Sequence, residues 1–491
     1  MNGESALYRF LYQAIVSEIQ SGRFRCGASL PSQDTLRCQY NVGITTVRRS
    51  LQMLQADGFI ACAPRKRATV LYRADDRAYA ASLLRYKPMT LSLYRSFEPV
   101  LPPLRALGAA RLPRFDALRS LADSLEEGME PEKFFQQVSL FFLELLAPFR
   151  NRVLADLQTD VSHRIHIPYP SFLTDESTGR LSPAQMRAAF HALLDALYAK
   201  DFSAAAQMLR AQYRGFMAWT ERFFAALEQR YPDLRVEPLP QTPGEKTRQP
   251  LYTSVARHLY RRIQAGEFEG RRFIPSLPEL MDAYGISQAT ALSAVALLSD
   301  IGVLQMHPKK GTSVARPGAP FAPVRLSRES ILEHLILFLS ALQILSCCAG
   351  CLSEALLAGL DEAERRDAAA RLQSCAAQGS DAFIRVLLEL FRRHAGEDCL
   401  ARFITQLDDL LIWGHYLSRA PSVTRAKTQR LVAERFAALP GALERGELSA
   451  FSAGVGELFV LTYRSAYDDL LALGADPDRL PAPLDEAGRL A

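Results

Sequence analysis

The chain lacks a start suited to export: MNGESALYRF has none of the basic-then-apolar layout of a signal peptide. Cysteine is scarce and unevenly spaced, eight in 491 residues, which excludes a disulfide framework and suits a reducing cytoplasm. Long low-complexity runs are missing and aromatics reach 9%, so extensive disorder is not expected. Long uncharged apolar runs are nearly missing too. The longest, LILFLSALQILSCCAGCL at 335–352, carries Ser340, Gln343, Ser346 and three cysteines. At 18 residues it is short for a bilayer span, so a buried helix is the better reading and no membrane partner is expected. No nucleophile–base arrangement, phosphate-cradling glycine loop or paired-carboxylate signature rises above background. An enzyme is not expected, nor is a cofactor.

What is present is ample core material and a divided charge. With 48% hydrophobic and 23% charged residues, 491 residues bury several cores and form more than one domain. The net charge of +5 hides a split: residues 1–73 hold ten Lys/Arg against four Asp/Glu, and 246–316 hold ten against five. The remainder therefore carries −6. Two short basic modules joined to larger acidic bodies is the distribution expected when only the modules meet phosphate.

The same two segments are copies of each other. A shift of 244 residues, without a gap, carries Leu7-Tyr8 to Leu251-Tyr252, Gly22 to Gly266, and Pro31-Ser32 to Pro275-Ser276. It also carries Leu36 to Leu280, Thr46 to Thr290, Leu54 to Leu298, Gly58 to Gly302 and Val70 to Val314. So many matches in register mark an internal duplication.

Each copy opens with a helix (about 6–21 and 250–265) ending at Gly22 or Gly266. In copy one a short helix starts near Ser32 as N-cap, and a turn follows at Asn41-Val42-Gly43. A second helix then runs from about Thr45 to Ala56 and stops at Gly58. Leu36, Val47, Leu51 and Leu54 have the spacing of two small helices closing on one core. Thr45, Thr46, Arg48 and Arg49 crowd the start of the second helix, where entry into a major groove calls for short hydroxyls and a long basic side chain. A two-stranded wing follows. Its tip is Arg65, Lys66 and Arg67 in copy one, and Lys309 and Lys310 before Gly311 in copy two.

Leu-Tyr, a helix to Gly, Leu-Pro-Ser, Thr-Thr-Val-Arg, Gly before the wing and a Gly-Thr wing tip together resemble the winged helix of GntR-type bacterial repressors. The resemblance covers about seventy residues of each copy. It implies DNA contacts from Ser32, Gln33, Thr45, Thr46, Arg48, Arg49 and the wing residues Arg65, Lys66 and Arg67. Two basic contacts usual in the family are missing, because Gln33-Asp34 and Gly43-Ile44 stand in their places. Copy two departs further: SQATALSAVALLS has no basic residue, and Leu292 stands where Arg48 stood. Its implied contacts are Ser276, Ser287, Gln288, Thr290, Lys309, Lys310 and Thr312, with Gln288 suited to an adenine edge.

Residues 78–230 and 327–474 read as all-helical. In the first, Asn151-Arg152-Val153-Leu154 and FHALLDALYAKDFSAAAQMLRAQY resemble the helical effector domain of the FadR C-terminal type, which in many members binds a small carboxylate through a metal. The family's ligand positions fall near Val138, Phe142, Phe190 and Gln212, so no metal is expected here. Residual ligand-site candidates are Arg95 (with Glu98, as a buried pair or a clamp), His163 and His166 beside Arg164, and His191. The Cys347-Cys348-x-x-Cys351 cluster suits either packing or redox sensing, with packing preferred.

The expected fold is mainly α: two winged helix-turn-helix domains, each followed by an all-α bundle. The expected boundaries are winged helix 1–75, bundle 78–230, linker 231–249, winged helix 250–316, bundle 327–474 and a loose tail 475–491. The expected function is sequence-specific transcriptional regulation, as a cytoplasmic repressor responsive to a carboxylate-like effector. Its partner is a double-stranded operator, met by a pseudo-dimeric monomer or a homodimer. The alternative keeps DNA binding in copy one and makes the second winged helix a dimerisation or protein-interaction module. The family's fusion of one winged helix to an aminotransferase fold does not suit bodies without alternating strands and helices.

Overall fold

The computed structural model describes residues 3–20, 22, 24–40, 42–63, 66–73, 75–129, 131–165, 182–238, 251–269, 273–307, 310–315, 329–375, 380–419, 422, 425–485 and 488. It is mainly α-helical, with a two-stranded antiparallel sheet in each copy. The chain divides into two units. One comprises Met1–Arg95, Arg114–Glu144 and Thr159–Gly244; the other comprises Ser96–Pro113, Leu145–Gln158 and Glu245–Ala491.

The first winged helix, in the first unit, consists of helices Gly3–Gln20, Gln33–Tyr40 and Ile44–Ala56 with strands Ile60–Ala61 and Thr69–Val70. The three- and four-residue apolar spacing closes these helices on one core. Leu11, Ile15, Ile19, Leu36, Val47 and Leu54 are all buried there, as is Val70 of the wing. Gly22 sits at φ +82°, where a side chain would be strained, and the chain reverses there after the first helix. Ser32 caps the second helix, its Oγ accepting from Thr35 N–H at 3.0 Å. The strands pair Ile60 with Val70 and Ala61 with Thr69.

The second winged helix lies in the second unit and repeats this plan. Its helices are Leu251–Gln264, Leu277–Tyr284 and Gln288–Asp300, and its strands Leu304–His307 and Gly311–Val314. The wing is longer, pairing Leu304 with Val314 through to His307 with Gly311. Arg257 and Arg261 of its first helix form ion pairs with Asp409 of helix Asp398–Leu411 in the same unit, the Arg257 pair at 3.5 Å. Burial there pushes the Asp409 carboxyl upward and lowers Arg257, and the neighbouring opposite charges oppose both shifts.

In the helical part of the first unit, Ala80, Leu83 and Leu84 pack with Trp219, Phe223, Phe224 and Leu227 of helix Phe202–Arg230. Tyr231, Leu234 and Val236, at the start of the Pro-rich stretch, lie against the same cluster, and Arg77 pairs with Asp233 at 2.7 Å. Residues 239–250 of that stretch are outside the described residues.

The second unit is built on Glu329–Leu357, packed along Leu448–Ala472. This is the one described helix long and apolar enough to cross a membrane, and 72% of its most apolar window is buried inside the protein. Its small residues have a packing reason: a Cβ on Gly350 would come within 3.1 Å of the Ser452 carbonyl oxygen. Cys348 beside it is fully buried, and burial pushes the Cys347 thiol up to about 12, so both are protonated packing groups at neutral pH.

A buried polar network ties sequence-distant pieces of this unit together. Asn151 Nδ2 donates to the Ser340 carbonyl and to Gln343 Oε1, each at 2.9 Å, while its Oδ1 accepts from Leu154 N–H at 3.0 Å. Gln343 Nε2 in turn donates to the carbonyls of Ala482 at 2.7 Å and Phe149 at 3.2 Å. The described part of the tail, expected to be loose, is packed over this stretch. Leu480, Ala482 and Leu484 are buried, and Ala482 N–H donates to the Phe149 carbonyl at 2.9 Å. Its apolar residues have a groove to enter and its backbone has partners, which outweighs its Pro and charge content.

Candidate nucleic-acid interface

In the first winged helix the recognition helix Ile44–Ala56 starts at Gly43, which has no side chain to cap it. That leaves the first turn without a side-chain cap, beside the exposed Thr45. Arg48 is exposed one turn in, and its Nε donates to Gln33 Oε1 at 3.4 Å. The two side chains that the sequence singled out on different helices therefore meet. Gln33 orients a guanidinium that remains accessible, suited to the two acceptors of a guanine edge. Arg49 behaves otherwise: its guanidinium lies 3.9 Å from the Tyr8 ring centroid, a cation–π contact that anchors the recognition helix to the first helix. Ser50 reinforces that anchor by donating to the Tyr8 carbonyl at 2.8 Å. Thr46 is half-buried, Lys66 and Arg67 are exposed at the wing, and Arg65 lies outside the described residues.

The second copy presents a different surface. Ser287 caps its recognition helix, accepting from Thr290 N–H at 3.3 Å and sharing a 2.9 Å hydrogen bond with the Thr290 hydroxyl. Ser276, expected as a DNA contact, has its N–H and its hydroxyl both donating to Glu279 Oε2 at 2.7 Å. These bonds hold the Glu279 carboxyl below its ordinary range, so a fixed negative charge stands where the first copy has Thr35. The sequence carried that signal as a Ser-x-x-Glu capping box. Gln288 and Lys310 are exposed, Thr312 is half-buried, and Lys309 lies outside the described residues. Leu292, in the place of Arg48, is 48% exposed, and Met306 on the wing is 50% exposed.

The sequence model for bacterial regulatory proteins of the gntR family matches residues 7–70 and 251–314. Both segments are GntR-type winged helices. The HTH-type transcriptional regulator TreR of Bacillus subtilis (strain 168) is 31% identical over 83 residues, which is 17% of this chain and 35% of that protein. The uncharacterized HTH-type transcriptional regulator YdeL of the same organism is 36% identical over 73 residues, 15% of this chain and 16% of that protein. The chain thus spans about a third of one relative and a sixth of the other. Among solved structures, Streptococcus agalactiae GntR matches at 13% identity and a TM-score of 0.20, over 44% of this chain and all of that one. E. coli McbR/YncC matches at 22% identity and a TM-score of 0.20, over 46% of this chain and 98% of that one.

Outside the GntR-type modules, the ligand candidates of the first helical body are separately engaged. Arg95 is exposed and pairs with Glu221 at 3.5 Å. His191 Nε2 meets Asp123 Oδ1 at 3.0 Å. The side chain of His163 and all of His166 fall outside the described residues. The positions corresponding to the family's metal ligands are filled by packing. Phe190 stacks on Phe141 with centroids 3.6 Å apart and meets Phe142 edge-on, and Gln212 donates to Met186 Sδ at 3.2 Å. In the second helical body Trp413 and Tyr416 are buried core, with Trp413 against the His334 ring.

Proposed function

We propose that the chain is a sequence-specific DNA-binding transcriptional regulator, a cytoplasmic repressor without enzymatic activity, that reads its operator chiefly through the first GntR-type winged helix. The observation that carries this reading is the exposed, Gln33-oriented Arg48 at the start of the recognition helix, with Lys66 and Arg67 on the wing. The second module adds its wing lysines as phosphate anchors. Both modules reside in one chain, so a monomer meets an asymmetric two-part site as a pseudo-dimer. The helical bodies make binding responsive to a small carboxylate.

A second reading is favoured by the exposed Leu292 and Met306 and the ionised Glu279 of the second copy: that module engages protein instead of DNA, as a dimerisation surface. Selection of the purified chain against random duplexes, with its mass in solution recorded alongside, separates the two. An asymmetric site bound by one monomer, weakened by both Arg48→Ala and Lys309→Ala/Lys310→Ala, supports the pseudo-dimer. A symmetric site bound by two chains and sensitive only to Arg48→Ala supports the interaction module. No selected sequence at all refutes DNA-binding regulation.

A further inference from the structure

In the second unit, two carboxylates stand where their own helix disfavours them. Asp408 and Asp409 lie in the last turn of Asp398–Leu411, where unpaired carbonyl groups already concentrate negative charge. Partial burial adds to that cost, since their side chains are only 21% and 20% exposed. The charges that offset both come from other helices. Arg257 and Arg261, one turn apart on Leu251–Gln264 of the second winged helix, both pair with Asp409. Arg261 also reaches Asp408 at 3.9 Å. Arg392 of helix Ser380–Arg393 pairs with Asp408 at 2.8 Å and with Glu389 of its own helix.

These residues form one chain of ion pairs running from the winged helix into the helical body. Arg257 sits deepest, with its side chain 11% exposed. Beside it Tyr260 is buried, its ring centroid 5.9 Å from that of His415. The reading face is left alone, because Gln288 and Leu292 of helix Gln288–Asp300 stay exposed. Under the 244-residue register the first copy has Gln13 and Ser17 at the two arginine positions, so neither charge is repeated there.

We propose that these ion pairs are a clamp that locks the second winged helix onto its own helical body in a single setting. An exposed pair would contribute little and let the module swing. Parting this one strands Arg257 in a poorly hydrated position without its opposite charge, which opposes release. The second module is thereby presented as a rigid extension of its body, and its partner must be met at that one angle. The clamp acts whether that partner is DNA or protein, so it stands apart from both readings above.

The test is hydroxyl-radical footprinting of the full chain, read by mass spectrometry at Tyr260. Tyr463, fully buried within the helical body, is the internal control. Both rings are protected in the native chain. Asp409→Ala raises Tyr260 labelling by at least about threefold while Tyr463 stays protected, because the module lifts and the body holds. Removing a carboxylate from the carbonyl end of Asp398–Leu411 favours that helix, so the body is not lost with the clamp. Asp409→Glu keeps the charge and keeps most of the protection. Arg257→Ala/Arg261→Ala cuts the clamp from the winged-helix side without altering the body, and it exposes Tyr260 to a similar degree. Tyr260 protected as before in either clamp-cutting variant overturns the proposal. So does a parallel rise at Tyr260 and Tyr463, which marks unfolding of the body instead of release of the module.

Discussion

Removing the Asn151 amide tests whether the buried polar network joins the pieces of the second unit. Asn151→Ala deletes two donations at 2.9 Å and the cap on Leu154 N–H, and it leaves Gln343 Oε1 buried without that donor. Each hydrogen bond contributes about 1 kcal/mol net, and a stranded buried acceptor costs about 1–3 kcal/mol more. With a cap loss of about 1 kcal/mol, the variant is destabilised by about 4–6 kcal/mol. Gln343→Ala costs less, about 2–3 kcal/mol, because the Ala482 carbonyl keeps the Tyr463 hydroxyl at 2.7 Å and the Phe149 carbonyl keeps Ala482 N–H. The two residues share a bond, so the double variant costs less than the sum of the singles by about 1–2 kcal/mol. Urea unfolding reads this in a Trp219→Phe background, where the fully buried Trp413 is the remaining tryptophan and reports the second unit. Additivity within about 0.5 kcal/mol, or a cost for Asn151→Ala below about 1 kcal/mol, refutes the network as a structural tie.

Three further outcomes are expected. Brief alkylation of the native protein labels the exposed Cys26 and Cys62 and spares Cys348 until urea is added; native labelling of Cys348 by mass spectrometry contradicts its burial. Tyr12 donates to Asp57 at 2.6 Å and its phenol is pushed up to about 12, first by burial and then by that bond. Its contribution to stability is therefore complete below pH 10 and lost as pH rises through about 12; Tyr12→Phe removes this alkaline loss in a melt series, and an unchanged profile contradicts the assignment. Leu292→Arg combined with Glu279→Thr restores the first copy's residues in the second, strengthens DNA binding and steepens its salt dependence by about one charge, read by titration at several salt concentrations; no change in slope places that helix away from phosphate.

The winged helices were legible because their determinants are local. The spacing of Leu36, Val47 and Leu54 named the core, and Gly22 and Gly266 marked the reversals that their positive φ confirms. The duplication made each copy a check on the other. At the interface, Arg48 could be placed on its helix from sequence, but its bond to Gln33 and the Arg49–Tyr8 contact needed the angle between helices. What the sequence hid was the long-range pairing. Asn151 lies 192 residues from Gln343, and no periodicity connects them. The same holds for the tail, whose composition described its solvent behaviour and not the groove awaiting it.

The packing of Ala482 on Phe149 also sets an order of events on the ribosome. Phe149 is made early, and its backbone partner emerges more than three hundred residues later, a wait of about 20–70 s at typical synthesis rates. Over that interval the segments 96–113 and 145–158 have been translated while the helices that bury them have not. The nascent chain must hold those apolar stretches in provisional company, and a premature stop before residue 480 would leave the Phe149 carbonyl without its Ala482 N–H partner.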